Sequence, residues 1–146
     1  IGEGSFGYTA ALKAIELPAS LKTIGDNAFY YSASLETVTF AEGSKLDAIG
    51  NYAFRDCTSL KSVEIGDSVE SIGIYAFRDC TSLTSVTIGD SVESIGAGAF
   101  RDCTGLSAIT FEGTTEQWDA ITKGVNWHTE TPATEVICSD GVVSLS

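Results

Sequence analysis

Three cysteines recur at a fixed interval along the sequence: Cys57, Cys80 and Cys103 are each 23 residues apart. Thiols spaced in this way could form disulfides, hold a metal ion or pack as small apolar side chains. The interval matches neither a CxxC motif nor a zinc-finger pattern, and thiols in a line do not make a tetrahedron. We therefore expect a ladder of buried free thiols. A disulfide between adjacent cysteines is the alternative, although parallel side-chain directions make its torsion awkward. Cys138 has no evident partner.

The other candidate groups do not assemble into a reactive pattern. His128 is the single histidine, so neither an HExxH zinc helix nor a histidine cluster can form. No GxSxG, P-loop or GxGxxG motif lies at a strand-to-helix boundary. The recurrent acids Asp67/Asp90 and Glu70/Glu93 supply few oxygens per repeat, whereas calcium takes roughly six to eight. Because catalysis needs an unrepeated constellation of groups, the sequence predicts no enzyme, no cofactor and no metal site.

Charge and composition exclude several classes of partner. The chain has 146 residues, with 8 Lys and Arg against 20 Asp and Glu, so its net charge is −12. This charge argues against nucleic acid and anionic membrane surfaces as partners. Hydrophobic residues make up 43%, as in an ordinary globular domain. The apolar runs are only a few residues long, so no membrane insertion is expected, and no signal peptide is visible at the start.

The elements that position these residues follow an internal repeat of 23 residues. Residues 60–82 and 83–105 differ at five of 23 positions. Looser copies span residues 12–34 and 35–59, the latter with two residues inserted in the segment AEGSK. Residues 1–11 match the second half of a repeat, and a last half-repeat begins at Leu106. Repetition this close predicts a solenoid, in which stacked coils bury one continuous core.

Each repeat carries apolar residues at equivalent positions. Two of them lie two residues apart on a predicted strand, and an Ala-Phe pair follows later in the repeat. Glycines mark the turns, and the stretch from Asp26 or Asn51 through the Ala-Phe pair predicts a short helical turn with an Asp or Asn cap. The main ladders are Leu12, Leu35, Leu60, Leu83, Leu106; Ile15, Val38, Val63, Val86, Ile109; Leu17, Phe40, Ile65, Ile88, Phe111; and Phe6, Phe29, Phe54, Phe77, Phe100.

The consensus LxxVxIxxSVxxIGxxAFxxC resembles the BspA-type, or Treponema-type, leucine-rich repeat over residues 1–111. The resemblance implies an α/β-type solenoid with a parallel β-sheet on its concave face. It also implies an extracellular or cell-surface location in a bacterium and a role in adhesion or protein binding. The sequence departs from the family pattern where Gly-Asp replaces a proline after the first strand.

The chain divides into repeats at 1–112 and a C-terminal cap at 113–146, where the repeat pattern is lost. In the cap, Thr114 or Thr115 is expected to begin a short helix that runs through Lys123. Residues 134–138 and 142–145 flank Asp140-Gly141, which predicts a β-hairpin. The first coil has no such cover, so we expect a fragment of a longer protein whose N-terminal edge can associate with another copy.

The outward-facing positions of the first strands form the candidate binding face, which is small, flat and rich in hydroxyls. We expect a protein partner or a host or cell-surface ligand there. The alternatives are a structural spacer and a carbohydrate-binding module that uses Tyr52, Tyr75 or Trp127. The candidate residues are Glu16, Thr37, Thr39, Ser62, Glu64, Ser85, Thr87 and Thr110.

Overall fold

Two sheets, parallel except at the C-terminal β11–β12 hairpin, run along a solenoid of about five turns in the computed structural model, which describes residues 1–145. The long sheet has seven strands in the order β1-β3-β5-β7-β9-β11-β12, and the short sheet has five in the order β10-β8-β6-β4-β2. The strands and the one helix are β1 Ala14–Leu17, β2 Thr23–Ile24, β3 Thr37–Phe40, β4 Ala48–Ile49, β5 Ser62–Ile65, β6 Ser71–Ile72, β7 Ser85–Ile88, β8 Ser94–Ile95, β9 Ala108–Phe111, α1 Thr115–Ala120, β10 Thr122–Lys123, β11 Glu135–Cys138 and β12 Gly141–Ser144.

The long sheet stacks equivalent residues of successive repeats on one another. Val63 pairs with Val86, and Val86 pairs with Ile109. Each of these side chains is buried, while the residues on either side along the strand face outward. Because successive side chains on a strand point to opposite faces, the 23-residue period brings every apolar position into the same core.

A stack of phenylalanines forms the centre of that core. Neighbouring rings of Phe6, Phe29, Phe54, Phe77 and Phe100 lie 5.0 to 5.2 Å apart between centroids, with interplanar angles of 3° to 6°. The spacing follows the distance between adjacent coils, about 4.8 Å. The rings are therefore stacked in the same register as the strands.

The helical turns predicted to begin at Asp26 or Asn51 are not present. Asn27, Tyr52 and Tyr75 have φ angles of 57°, 58° and 53°, in the left-handed region. Residues in that conformation cannot propagate a right-handed helix. The molecule is therefore a β-solenoid rather than an α/β-type solenoid, and within residues 1–145 the helical content is the six residues of α1.

Hydrogen bonds explain why turns replace helices. The Phe77 N–H donates to the Ala99 carbonyl of the next coil at 2.8 Å, whereas the Ala76 N–H donates back to Gly73 at 3.3 Å. Alternate N–H groups thus bond between coils and within a turn. In a helix, all of these N–H groups would donate within their own coil, and the carbonyl groups of the adjacent coil would lose their hydrogen-bond donors.

The C-terminal segment keeps the path of the repeat although its sequence pattern is lost. Thr114 caps α1 with a capping box to Gln117, and the helix ends at Ala120, before the predicted Lys123. Thr122–Lys123 pairs with β8 instead, because the backbone there continues the short sheet. The carbonyl of Trp127 accepts from the Phe100 N–H at 2.7 Å, as Ala99 accepts from Phe77 one coil earlier.

The N-terminal coil is less covered than the coils that follow it. Ile1, Phe6, Leu12, Ile15 and Leu21 are only partly buried against the core. Their counterparts in the middle repeats are buried, and β1 has a strand neighbour on one side only.

We expect the 146-residue polypeptide to self-associate through this edge, because exposed apolar side chains and an unpaired strand favour pairing. Sedimentation velocity up to roughly millimolar concentration should show dimers or larger species. Ile15→Lys, which places a charge on the edge, should reduce them, while Val125→Lys at an exposed turn should not. A monomer at every concentration would contradict the prediction.

Candidate binding face on the long sheet

The eight candidate residues lie on one solvent-facing side of the long sheet, called the outer face below. Two rows cross the strands of this face, one at the first and one at the third position of each strand. The five residues nearer the N-terminus are exposed, and Ser85, Thr87 and Thr110 are half-buried. The first row is Ala14, Thr37, Ser62, Ser85 and Ala108; the second is Glu16, Thr39, Glu64, Thr87 and Thr110.

Two apolar residues that the sequence analysis missed extend the second row. Ile137 pairs with Thr110 on one side and with Val142 on the other. Their side chains are 48% and 54% exposed. The signal was the alternation in residues 135–138, where Val136 is buried and Ile137 therefore points outward. The outer face thus continues onto the C-terminal hairpin.

A groove lies beside the N-terminal part of the outer face. Its lining includes Thr37, Thr39, Ser62 and Glu64 from the strands, together with the inserted loop at 41–44. Asp67 and Glu112 also line the groove, which encloses about 620 Å³. That volume is sufficient for one or two side chains of a partner. The two-residue insertion in one repeat therefore gives the otherwise flat face a recess.

Several carboxylates lie close together along the edge of the outer face that is formed by the carboxyl ends of its strands. Glu112 follows β9 and occupies the position held by Gly66 and Gly89 in earlier repeats. Burial, a hydrogen bond with Asp67 and the nearby charges of Asp67, Asp90 and Glu64 raise the pKa of the Glu112 carboxyl. A raised carboxyl pKa means that the ionised form is disfavoured by its surroundings. Carboxyl groups are therefore concentrated at this edge of the face.

The aromatic residues considered for sugar binding are not presented as a platform. Trp127 is 7% exposed and packs edge-on against Phe100 and Trp118. Tyr52 and Tyr75 are half-buried, with centroids 5.6 Å apart. The Arg55 and Arg78 guanidiniums lie over them at 5.8 and 5.1 Å. A sugar stacks on an open ring face, which Trp127 in particular does not offer.

The described residues do not form a metal-binding cluster near the outer face. Across the part of the chain that the structure describes, no group of three or more His, Cys, Asp or Glu residues is placed to hold a metal ion. Burial lowers the pKa of His128, whose ring packs against Trp127 at 4.5 Å. No helix in residues 1–145 is long and apolar enough to span a bilayer.

A family model described as the BspA type leucine-rich repeat region matches residues 1–121 in six copies. The chain belongs to this family. The match extends beyond residue 111, in agreement with a last coil that keeps the repeat's backbone hydrogen bonds. No curated protein is similar in sequence at a significant level.

Three solved bacterial structures are similar to this chain. The T. pallidum leucine-rich repeat protein is 29% identical with a TM-score of 0.71, over 86% of this chain and 62% of that one. The pneumococcal vaccine antigen PcpA is 26% identical with a TM-score of 0.76, over 90% and 34%. A leucine-rich cell surface protein from Faecalibacterium prausnitzii is 25% identical with a TM-score of 0.59, over 100% and 46%. This chain thus spans less than two thirds of each of these proteins.

The recurrent cysteines of these BspA-type repeats are free and buried. Cys57, Cys80 and Cys103 donate their thiol hydrogens to the carbonyl of the phenylalanine one repeat back, at 3.2, 3.1 and 3.0 Å. Ser32 makes the same bond to Phe6 at 2.8 Å, which explains a fully buried hydroxyl in the ladder. The thiols therefore act as small hydrogen-bond donors, and no disulfide is formed among residues 1–145.

Burial also lowers the expected reactivity of these thiols. It raises the pKa of Cys57 to about 12 and that of Cys80 well above its usual value. Because the thiolate is the nucleophile, we expect no rapid labelling of Cys57, Cys80 or Cys103 by a thiol reagent at neutral pH. Labelling of all cysteines in denaturant, with the mass of the fully reduced chain, is the control. Fast native labelling of all three would contradict the buried ladder.

Proposed function

We propose that this chain is a non-catalytic protein-binding module of a bacterial secreted or cell-surface protein, and that it contacts its partner through the outer face. The observation that carries the proposal is the outer face itself. It is a seven-stranded, solvent-facing surface that combines rows of hydroxyls, an acidic groove and the apolar pair Ile137 and Val142. A fold built of near-identical repeats offers an extended surface in place of a single reactive pocket.

The location rests on the relatives. One similar structure is that of a cell surface protein, and another is that of a vaccine antigen. Both are longer than this chain, so it would act as one segment of a larger binding protein. Adhesion to a host or neighbouring cell is a role that suits such a location.

The composition of the outer face sets the expected strength of binding. Threonine and serine provide adaptable hydrogen bonds but little buried area, and the face carries no Trp, Tyr or Arg of the kind that dominates tight interfaces. Weak single contacts become strong when several copies engage together. We therefore expect modest affinity from the isolated module and a large gain on a multivalent surface.

The test compares the wild-type protein with a double variant, Thr39→Arg with Thr87→Arg, which places two bulky charges on the outer face. Both are displayed as multivalent particles and applied to an array of extracellular proteins and to a glycan array. We expect protein binding that the double variant loses. The control is Thr58→Arg with Thr81→Arg, at exposed turn positions away from this face, which should bind as the wild type does.

The outcomes separate the three functions considered. Binding to glycans that survives the outer-face substitutions would favour a carbohydrate-binding module. Binding to neither array would contradict the proposal and favour a structural spacer. Protein binding that the turn variant also loses would place the interface elsewhere on the molecule.

A further inference from the structure

The outer face is apolar at its C-terminal end and acidic beside its N-terminal part. At the C-terminal end, Ile137 and Val142 pair directly across β11 and β12, and both are about half exposed. Directly opposed side chains on a sheet lie about 4.5–5.5 Å apart between Cβ atoms, so the two form one apolar patch. On its other side, Ile137 pairs with Thr110. The apolar patch is thus continuous with the hydroxyl rows.

The acidic groove lies on the same sheet, a few strands away. No ion pair of the described residues involves Glu64, Asp67, Asp90 or Glu112. Burial raises the pKa of Glu112, and a hydrogen bond with Asp67 and the charges of Asp67, Asp90 and Glu64 raise it further. Glu64, Asp67 and Glu112 line the groove, so positively charged groups of a partner would be complementary to it.

The distance from the apolar patch to Glu64 sets the length of a partner segment that reaches both. Three strand spacings separate β11 from β5, the strand that carries Glu64, which is about 14 Å at 4.8 Å per spacing. An extended chain advances about 3.3 Å per residue. A segment that lies across the strands therefore covers the distance with about four residues.

We propose that the outer face binds an extended protein segment that carries an apolar side chain and, about four residues away, Lys or Arg side chains. The apolar side chain packs on Ile137 and Val142, and the cationic groups reach the groove beside Glu64, Asp67 and Glu112. The threonine rows between them hydrogen-bond to the segment. This inference rests on the proposed function, since it names the chemistry of the partner at the same face.

The experiment is a selection from a random twelve-residue peptide display library on the 146-residue protein. Counter-selection against Thr87→Arg retains only peptides that need the outer face. We expect the retained peptides to be enriched in an apolar residue with Lys or Arg about four residues away on either side. Their binding should weaken as ionic strength rises, because screening reduces exposed charge interactions.

Paired variants then locate the two contacts. Ile137→Thr with Val142→Thr, and separately Asp67→Asn with Glu112→Gln, should each weaken the retained peptides by about tenfold. The controls are Val125→Thr and Glu93→Gln, which change exposed residues away from the outer face and should alter affinity by less than about twofold.

Each result has a distinct meaning. Peptides that need the outer face but are neutral or acidic would overturn this inference and leave the proposed function standing. The same follows if the paired variants bind as tightly as the wild type. A library that yields no peptide dependent on the outer face would count against both.

Discussion

Phe77→Ala should destabilise the protein by about 3–5 kcal/mol. The Phe77 ring is fully buried, between Phe54 at 5.1 Å and Phe100 at 5.2 Å. Removing the ring withdraws its buried surface and leaves a cavity between two rings that cannot collapse, because hydrogen bonds between coils fix their spacing. Urea denaturation followed by circular dichroism measures the loss of unfolding free energy.

The matched control is Ile74→Ala in the same repeat. Ile74 is 42% exposed, so its truncation should cost within about 0.5 kcal/mol. Phe77→Leu, which refills part of the space, should fall between the two. A cost below about 1 kcal/mol for Phe77→Ala would mean that the rings do not form one stack.

The repeat and its register could be predicted from the sequence because each coil buries apolar residues at equivalent positions. Val63, Val86 and Ile109 occupy equivalent positions, and a parallel arrangement is the one that stacks them. The outward position of Thr87 and Thr110 followed from strand alternation alone. Periodicity therefore placed the core and most of the outer face.

The conformation of the turns could not be predicted in the same way. A short segment with an Asp or Asn near its start has the composition of a helix N-terminus. The structure instead places Asn27, Tyr52 and Tyr75 in the left-handed region. Tyrosine is uncommon in that region, so its presence in the sequence does not predict this conformation. Hydrogen bonds to the next coil decide the outcome, and these are long-range contacts that local residue types do not encode.

The sequence analysis predicted neither the path of the last coil nor the acidic groove beside the outer face, for related reasons. The last coil keeps its backbone bonds although Trp127 replaces an alanine, since those bonds do not depend on the side chain. Asp67 and Glu112 are 45 residues apart in sequence, and only stacking brings them together. Their effect on each other appears once the coils are assembled.

Close approach of the coils gives the second large effect: Gly73→Ala should destabilise the protein by about 1–3 kcal/mol or more. A Cβ at Gly73 would lie 2.5 Å from the Gly50 carbonyl carbon and 2.6 Å from the Asn51 nitrogen. Both are backbone atoms, so no side-chain rotation can relieve the overlap. The Gly73 N–H also donates to the Ile49 carbonyl at 2.8 Å, and separating the coils would lengthen that bond.

Gly66→Ala is the control in the same repeat, because a Cβ there meets only a Phe40 ring carbon at 3.5 Å, an ordinary contact. Its φ is not in the left-handed region, so alanine should be neutral, or stabilising by up to about 1 kcal/mol through the unfolded chain. Thermal and urea unfolding of both variants measure the difference. Equal stability of the two variants would show that the coils have room to separate at Gly73. A large loss at Gly73 alone would show that the absence of a side chain at this position allows successive coils to stack as closely as they do.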